Sequence, residues 1–159
     1  MIRRKLFLNT VFIGIFLMFL ACNEPGTLID QNTEISNHNW SYTDKIKTDV
    51  KISDTMQPYN IYFNFRHSAD YRYSNIFVLV HQTSPNHQTK TIRYEFKLAN
   101  PDGEWLGNGS GDLYNYRLPL LTNYRFPTPG TYSFTVEQNM RDNPLREVAD
   151  VGLRVERAK

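Results

Sequence analysis

The chain has 159 residues, with 18 Lys and Arg against 16 Asp and Glu, a formal net charge of +2 and 14% aromatic residues. That near balance gives no electrostatic case for nucleic acid, which needs a strongly basic face. A single cysteine rules out an intrachain disulfide, and the length suits one modest domain able to bury roughly two-thirds of its unfolded surface.

Met1 to Lys5 is a short basic leader, and Leu6 to Ala21 is apolar apart from Asn9 and Thr10. A basic start, an apolar run and a small residue at the cut form a secretory signal, not a fold element. A spanning helix needs about 20 apolar residues, and this run is shorter. Cys22, the sole cysteine, directly follows Ala21. That is the arrangement of a bacterial lipoprotein signal, in which the thiol takes up lipid and becomes the new N-terminus. The usual Leu three places before the cysteine is Phe19 here, with Leu20 beside it. Residues 1–21 are therefore read as signal peptide and Cys22 as the lipid attachment site. One acyl chain binds a membrane marginally at roughly 0.8 kcal/mol per buried CH₂, whereas a fully processed lipoprotein carries three. The lipid is the only non-protein group expected, and no other cofactor is implied. Loss of Arg3, Arg4 and Lys5 from the 18 basic residues leaves 15 against 16 acids, a charge of −1.

Residues 22–39 are polar and aperiodic, contain Pro25 and Gly26, and are expected to form a flexible tether. Residues 40–159 then show period-two alternation again and again, the pattern of strands. Ile46, Thr48, Val50 and Ile52 share one face of a first strand; Tyr59, Ile61, Phe63 and Phe65 share one face of a second. His67 to Ser74 reads as a loop. Asn75 to Val80 is apolar at both parities, which predicts a central strand covered on both faces. Ile92 to Leu98 alternates, and Pro101-Asp102-Gly103 suits a type I turn. A short strand is expected around Trp105, then a glycine-rich loop, Gly107 to Gly111. Leu113 to Leu121 reads as a strand whose Pro119 places it at an edge. Tyr132 to Val136 and Val151 to Val155 close the series. The fold class is all-β: a single β-sandwich of about eight strands, of which the jelly roll is one form.

Chemistry is sparse. His38, His67, His81 and His87 lack the spacing of a metal site, and no Gly-x-Ser-x-Gly elbow occurs. Gly107 to Gly111 precedes strand sequence rather than a helix, so it is read as a β-loop and not a phosphate cradle. The carboxylates Glu95, Glu104, Asp112, Glu137 and Asp150 are taken as solvated, with no metal implied. Aromatics are the richest signal: Trp40, Tyr42, Tyr71, Tyr73, Trp105, Tyr114, Tyr116 and Tyr124 fall outside the inward series. With arginines close by in sequence, they match what protein-binding hot spots favour. The candidate interaction surface is Trp105, Tyr114, Tyr116, Arg117 and Arg141.

Several ordered blocks carry a resemblance. They are Asp54-Thr55-Met56-Gln57-Pro58-Tyr59-Asn60 running into Phe63-Asn64-Phe65-Arg66; Tyr71-Arg72-Tyr73-Ser74-Asn75-Ile76-Phe77; Pro101-Asp102-Gly103-Glu104-Trp105-Leu106-Gly107 with Gly109 to Asp112; Arg125-Phe126-Pro127; and Gly130-Thr131-Tyr132 through Glu137-Gln138-Asn139-Met140-Arg141 to Asp150-Val151-Gly152-Leu153-Arg154-Val155-Glu156. Together they resemble the gliding-motility lipoprotein GldH family of the Bacteroidota, across nearly the whole mature domain. The resemblance implies a non-enzymatic lipoprotein of the cell envelope, lipid-anchored at the outer membrane. Its partners would be other gliding-motility lipoproteins or secretion-apparatus proteins. A lone acid after the cysteine, Glu24, leans towards the periplasmic face. Only Cys22 carries over as a functional residue. The competing reading is a carbohydrate-binding β-sandwich module; a hydrolase ranks third.

Overall fold

The computed structural model describes residues 26–159. The signal peptide and Cys22 lie outside the described residues. Eleven strands run β1 Thr27–Glu34, β2 Asn39–Trp40, β3 Ile46–Ile52, β4 Tyr59–Ser68, β5 Asn75–Thr83, β6 Thr89–Lys97, β7 Asn108–Ser110, β8 Leu113–Tyr124, β9 Gly130–Gln138, β10 Leu145–Arg146 and β11 Val148–Arg157. They form a five-stranded sheet ordered β1-β11-β4-β8-β7, a four-stranded sheet ordered β3-β9-β5-β6, and a small β10-β2 pair. Every pairing is antiparallel. The class is the sandwich the alternation predicts, with three more strands than the eight expected.

The core lies between the two larger sheets. Ile61, Phe63 and Phe65 of β4 pair in register with Val155, Leu153 and Val151 of β11, and all six are buried. From the other sheet come Ile76, Val78 and Val80 of β5, Phe96 of β6, and Tyr132, Phe134 and Val136 of β9. Phe63 stacks on Phe96 across the layers at 5.9 Å between ring centres. Each such side chain, fully buried, contributes roughly 1.5–3 kcal/mol. Asn75–Thr83 is an inner strand of its sheet, as its apolar run implies. Pro119 stands opposite Tyr62 of β4, on a stretch of β8 beyond Asn115, the last residue that β7 pairs with. A proline there costs no ladder hydrogen bond.

The expected tether is corrected over residues 27–39. Thr27–Glu34 is an edge strand laddered to β11, and the buried Ile35 donates its N–H to Ala149 O at 2.9 Å. Its sequence shows no alternation because residues 30–34 are exposed at both parities. Backbone pairing and polar side-chain bonds hold it, with Leu28 and Ile29 packed against the core at its start. The small β10-β2 pair seats Trp40, wholly buried, with its indole N–H donated to Asp44 O at 2.8 Å. A second correction concerns His67, expected in a loop: β4 continues through it, and its ring is buried.

Candidate functional site

The proposed aromatic surface resolves into three places. The first is a packed aromatic end of the sandwich around His67. Its imidazole lies 4.5 Å from Trp105, 4.7 Å from Tyr71, 5.3 Å from Tyr116 and 5.9 Å from Tyr114, ring centre to ring centre. Trp105 is positioned by a lone bridge to Ala99, where a short strand was expected. His67 Nδ1 donates to Ser68 O at 2.7 Å, which leaves Nε2 of the neutral ring as an acceptor; the Tyr116 hydroxyl lies 3.2 Å from it and shares its one proton between Nε2 and Leu98 O. Burial holds the imidazole below its ordinary range, and the Ser68 carbonyl opposes the shift. Burial likewise pushes the Tyr116 phenol up to about 12.

Tyr116 must therefore leave the candidate surface. It is 8% exposed, and its hydroxyl donates to Leu98 O at 2.8 Å. Its ring fills the space beside Gly107, where a Cβ would stand 2.6 Å from ring carbons. Period-two counting cannot see this, because the pocket for the ring is a backbone gap made by a glycine. Trp105 and Tyr114 are half-buried and keep one part outward.

The second place is a groove of about 710 Å³ that continues from this end through Tyr71 to Tyr73, 5.9 Å apart. Its walls are the loop after β4, with Arg72 and Tyr73, the loop from β9 to β10, with Arg141, and Arg146 of β10 itself. That second loop is strapped down. Tyr42 donates its hydroxyl to Met140 O at 2.6 Å and its N–H to Asn143 Oδ1 at 3.0 Å. Tyr73 donates its hydroxyl to Asp142 Oδ2 at 2.5 Å, and Gln138 Nε2 donates to Asp142 O at 3.0 Å. Among the described residues, Arg72, Arg141 and Arg146 have no ion-pair partner, although acids line the same groove. Arginines presented this way on a fixed loop beside tyrosine are what protein hot spots use.

Arg117 sits in a third place, on the outer face of the five-stranded sheet. There it borders a groove of about 370 Å³ that shares no residue with the one holding Arg141. The expected grouping of Arg117 with Arg141 is not formed. Around Arg117 the polar side chains are bound to one another. Arg154, with a side chain 6% exposed, meets Asp30 and Glu156 at 2.7 Å each, and Arg66 pairs with Asp150. Asn64 Nδ2 donates to Asp30 Oδ1 at 2.8 Å and to Asn32 Oδ1 at 3.0 Å.

Asp150, expected to be solvated, is thus buried and paired. Glu137 is half-buried and paired too, binding Lys45 at 2.5 Å and His81 at 2.9 Å. Desolvation would raise the Glu137 pKa, but the hydrogen bonds from Lys45 and His81 outweigh it, and the carboxyl lies below its usual value. His81 also bonds Thr91 Oγ1 at 2.8 Å, making a cross-strand row of Thr, His and Glu on the open face of the four-stranded sheet. Lys45 already occupies the second carboxylate oxygen, so this row reads as an ion-paired sheet face. Gly111, with φ of 63°, turns β7 into β8, so the glycine stretch is a hairpin. Among the described residues no group of three or more His, Cys, Asp or Glu side chains converges as a metal site.

The model of the GldH lipoprotein family matches residues 27–155. The chain belongs to that family. It is 29% identical over 162 residues to a protein of Christiangramia forsetii named gliding motility lipoprotein GldH homolog, covering 98% of each chain. It is also 29% identical over 124 residues to gliding motility lipoprotein GldH of Flavobacterium johnsoniae, covering 74% of this chain and 77% of that one. Among solved structures it is similar to a non-crystalline cellulose-specific carbohydrate-binding module, CBM28, with TM-score 0.47 and 11% identity over 81% of this chain and 73% of that one. A fructofuranosidase from Schwanniomyces occidentalis gives TM-score 0.44 and 14% identity over 86% of this chain and 35% of that one. The GldH match spans β1 to β11, so the family's shared domain includes the edge strand at its start.

Proposed function

We propose that this GldH-family chain is an envelope lipoprotein, anchored at the outer membrane through lipid on Cys22, that serves the gliding or type IX secretion machinery by docking other proteins. The observation that carries the reading is the family match across residues 27–155, together with relatives named for gliding motility. The docking surface is the strapped groove with Arg72, Tyr73, Arg141 and Arg146, extended past Tyr71 to the outward part of Trp105. Binding, not catalysis, is the role.

Crosslinking in cells, followed by capture from gently solubilised envelopes, tests it. Recovery of other gliding-motility lipoproteins or secretion-channel components is expected, with loss from the Cys22→Ala form. Labelled palmitate should enter the wild-type protein and not that variant. Recovery of bulk envelope lipoproteins alone would count against the machinery. Undiminished membrane retention of Cys22→Ala would remove the anchor.

A further inference from the structure

The outer face of the five-stranded sheet is polar in three register rows that cross it. One runs Asp150, Arg66, Asn115, Asn108; the next runs Asn32, Gly152, Asn64, Arg117; the third runs Asp30, Arg154, Tyr62, Pro119. Neighbouring strands are about 4.8 Å apart and same-face residues about 6.8 Å apart along a strand. The side chains therefore form a lattice of hydrogen-bonding groups over the groove of about 370 Å³. That volume is within the usual range of about 300–1,000 Å³ for small-molecule sites.

From this geometry we infer that the groove is a binding site for a neutral polyhydroxylated ligand, a stretch of uncharged saccharide chain. Charge is the first argument. The lining carries two arginines, Arg66 and Arg117, against two aspartates, Asp30 and Asp150, and Arg66 is already paired with Asp150. A phosphate-bearing polymer needs a net basic surface. A protein partner needs an apolar interface core, and here the rings of Phe65 and Tyr116 turn into the interior.

Valency is the second argument. Four asparagines line the groove. Asn64 Nδ2 is committed to Asp30 and Asn32, and Asn115 Nδ2 to Asn108 O at 3.1 Å. Among the described residues, Asn64 Oδ1 and Asn115 Oδ1 remain as acceptors and Asn32 Nδ2 as a donor. Arg117, its nearest carboxylate 3.8 Å away at Asp30, adds further donors. A sugar hydroxyl is both donor and acceptor, so it suits a surface that interleaves the two. Fixity is the third argument. The floor is set by Gly152, where a Cβ would stand 2.2 Å from Asn32 Oδ1, and the buried Arg154 of the third row fixes Asp30 at the groove's edge. Groups already held by one another lose little freedom when a ligand arrives. Tyr62 and Pro119, in the adjoining row, offer flat apolar surface for a sugar ring.

The test uses the full-length lipidated protein in detergent, run on native gels cast with galactomannan, xyloglucan or mixed-linkage β-glucan. Alginate and polymer-free gels are controls. At least one neutral polymer should retard the wild type. Asn64→Ala and Arg117→Ala should each weaken that retardation by about tenfold in apparent affinity. Arg141→Ala, in the other groove, should not change it, which separates this site from the protein-docking reading. If Asn64→Ala melts early, Asn115→Ala repeats the test with the Arg154 ion pairs intact. No retardation by any neutral polymer, retardation by alginate alone, or full retention of binding in both variants would each overturn the proposal.

Discussion

β5 and β11 are both inner strands of their sheets, yet their outer faces are covered in opposite ways. On β5, Phe77 and Leu79 are half-buried under neighbouring side chains, and the Arg93 guanidinium lies 4.0 Å over the Phe77 ring. On β11, every residue from Val148 to Val155 is buried, and the outward ones are Asp150, Gly152 and Arg154. The first strand's outer face is apolar at Phe77 and Leu79, with the ion-paired His81 beyond them. An ion-paired polar network shields the second, and it is assembled from β1, β4, β8 and β11. The comparison teaches that burial on a sheet's outer face need not come from hydrophobic residues, provided every buried charge finds its partner.

The sharpest way to break this contrast is to remove one member of the polar network. Arg154→Ala is expected to cost about 2–3 kcal/mol, below the full figure for a buried pair because Asp30 and Glu156 stay partly solvated. Urea titration measures it; a loss within error would mean that the network stabilises nothing. Next comes Gly152→Ala, whose Cβ would stand 2.1 Å from Gln31 O. About 1–2 kcal/mol is expected, with faster amide exchange concentrated in residues 27–34 as β1 lifts. Uniform exchange across the domain would contradict that account.

A smaller, pH-dependent effect belongs to the aromatic end. An unfolded histidine titrates near 6.5, and buried His67 is held below that. As pH falls below about 6.5 the unfolded chain takes up a proton that the native state refuses. Stability should therefore drop until the lowered native value is passed. Replacing His67 by Phe should flatten that slope in thermal melts, and an unchanged slope would assign the titration elsewhere. Smallest of all, Arg93→Ala on the four-stranded sheet removes one exposed cation–π contact and an exposed hydrogen bond to Asn139, together worth about 1 kcal/mol. A loss matching that of Arg154→Ala would erase the difference between the two faces.

The same contrast explains what could be read from the chain. β3, β4, β5, β6, β8 and β9 were legible because each alternates apolar residues towards the core, or is apolar at both parities in the case of β5. β11 was legible only on its inner face, through Val151, Leu153 and Val155; nothing in single-residue hydropathy marks Arg154 as buried. β1 was missed because a polar edge strand held by backbone pairing looks like a linker. β2 and β10 are two residues each, too short for any period. At the candidate site, the aromatic and arginine enrichment was visible, and Trp105 and Arg141 keep outward-facing roles in the proposal. The separation of Arg117 from Arg141 depends on register across the sheet, and the burial of Tyr116 depends on the gap at Gly107. Neither leaves a trace in local sequence.

The most direct test of protein docking at the strapped groove is photocrosslinking in cells from two positions. One photoreactive residue replaces Arg141 in the groove, and the other replaces Arg93 on the open face of the four-stranded sheet. The account predicts discrete adducts with gliding-motility or secretion-apparatus proteins from position 141 and none from position 93. Equal adducts from both positions, or none from position 141, would contradict it.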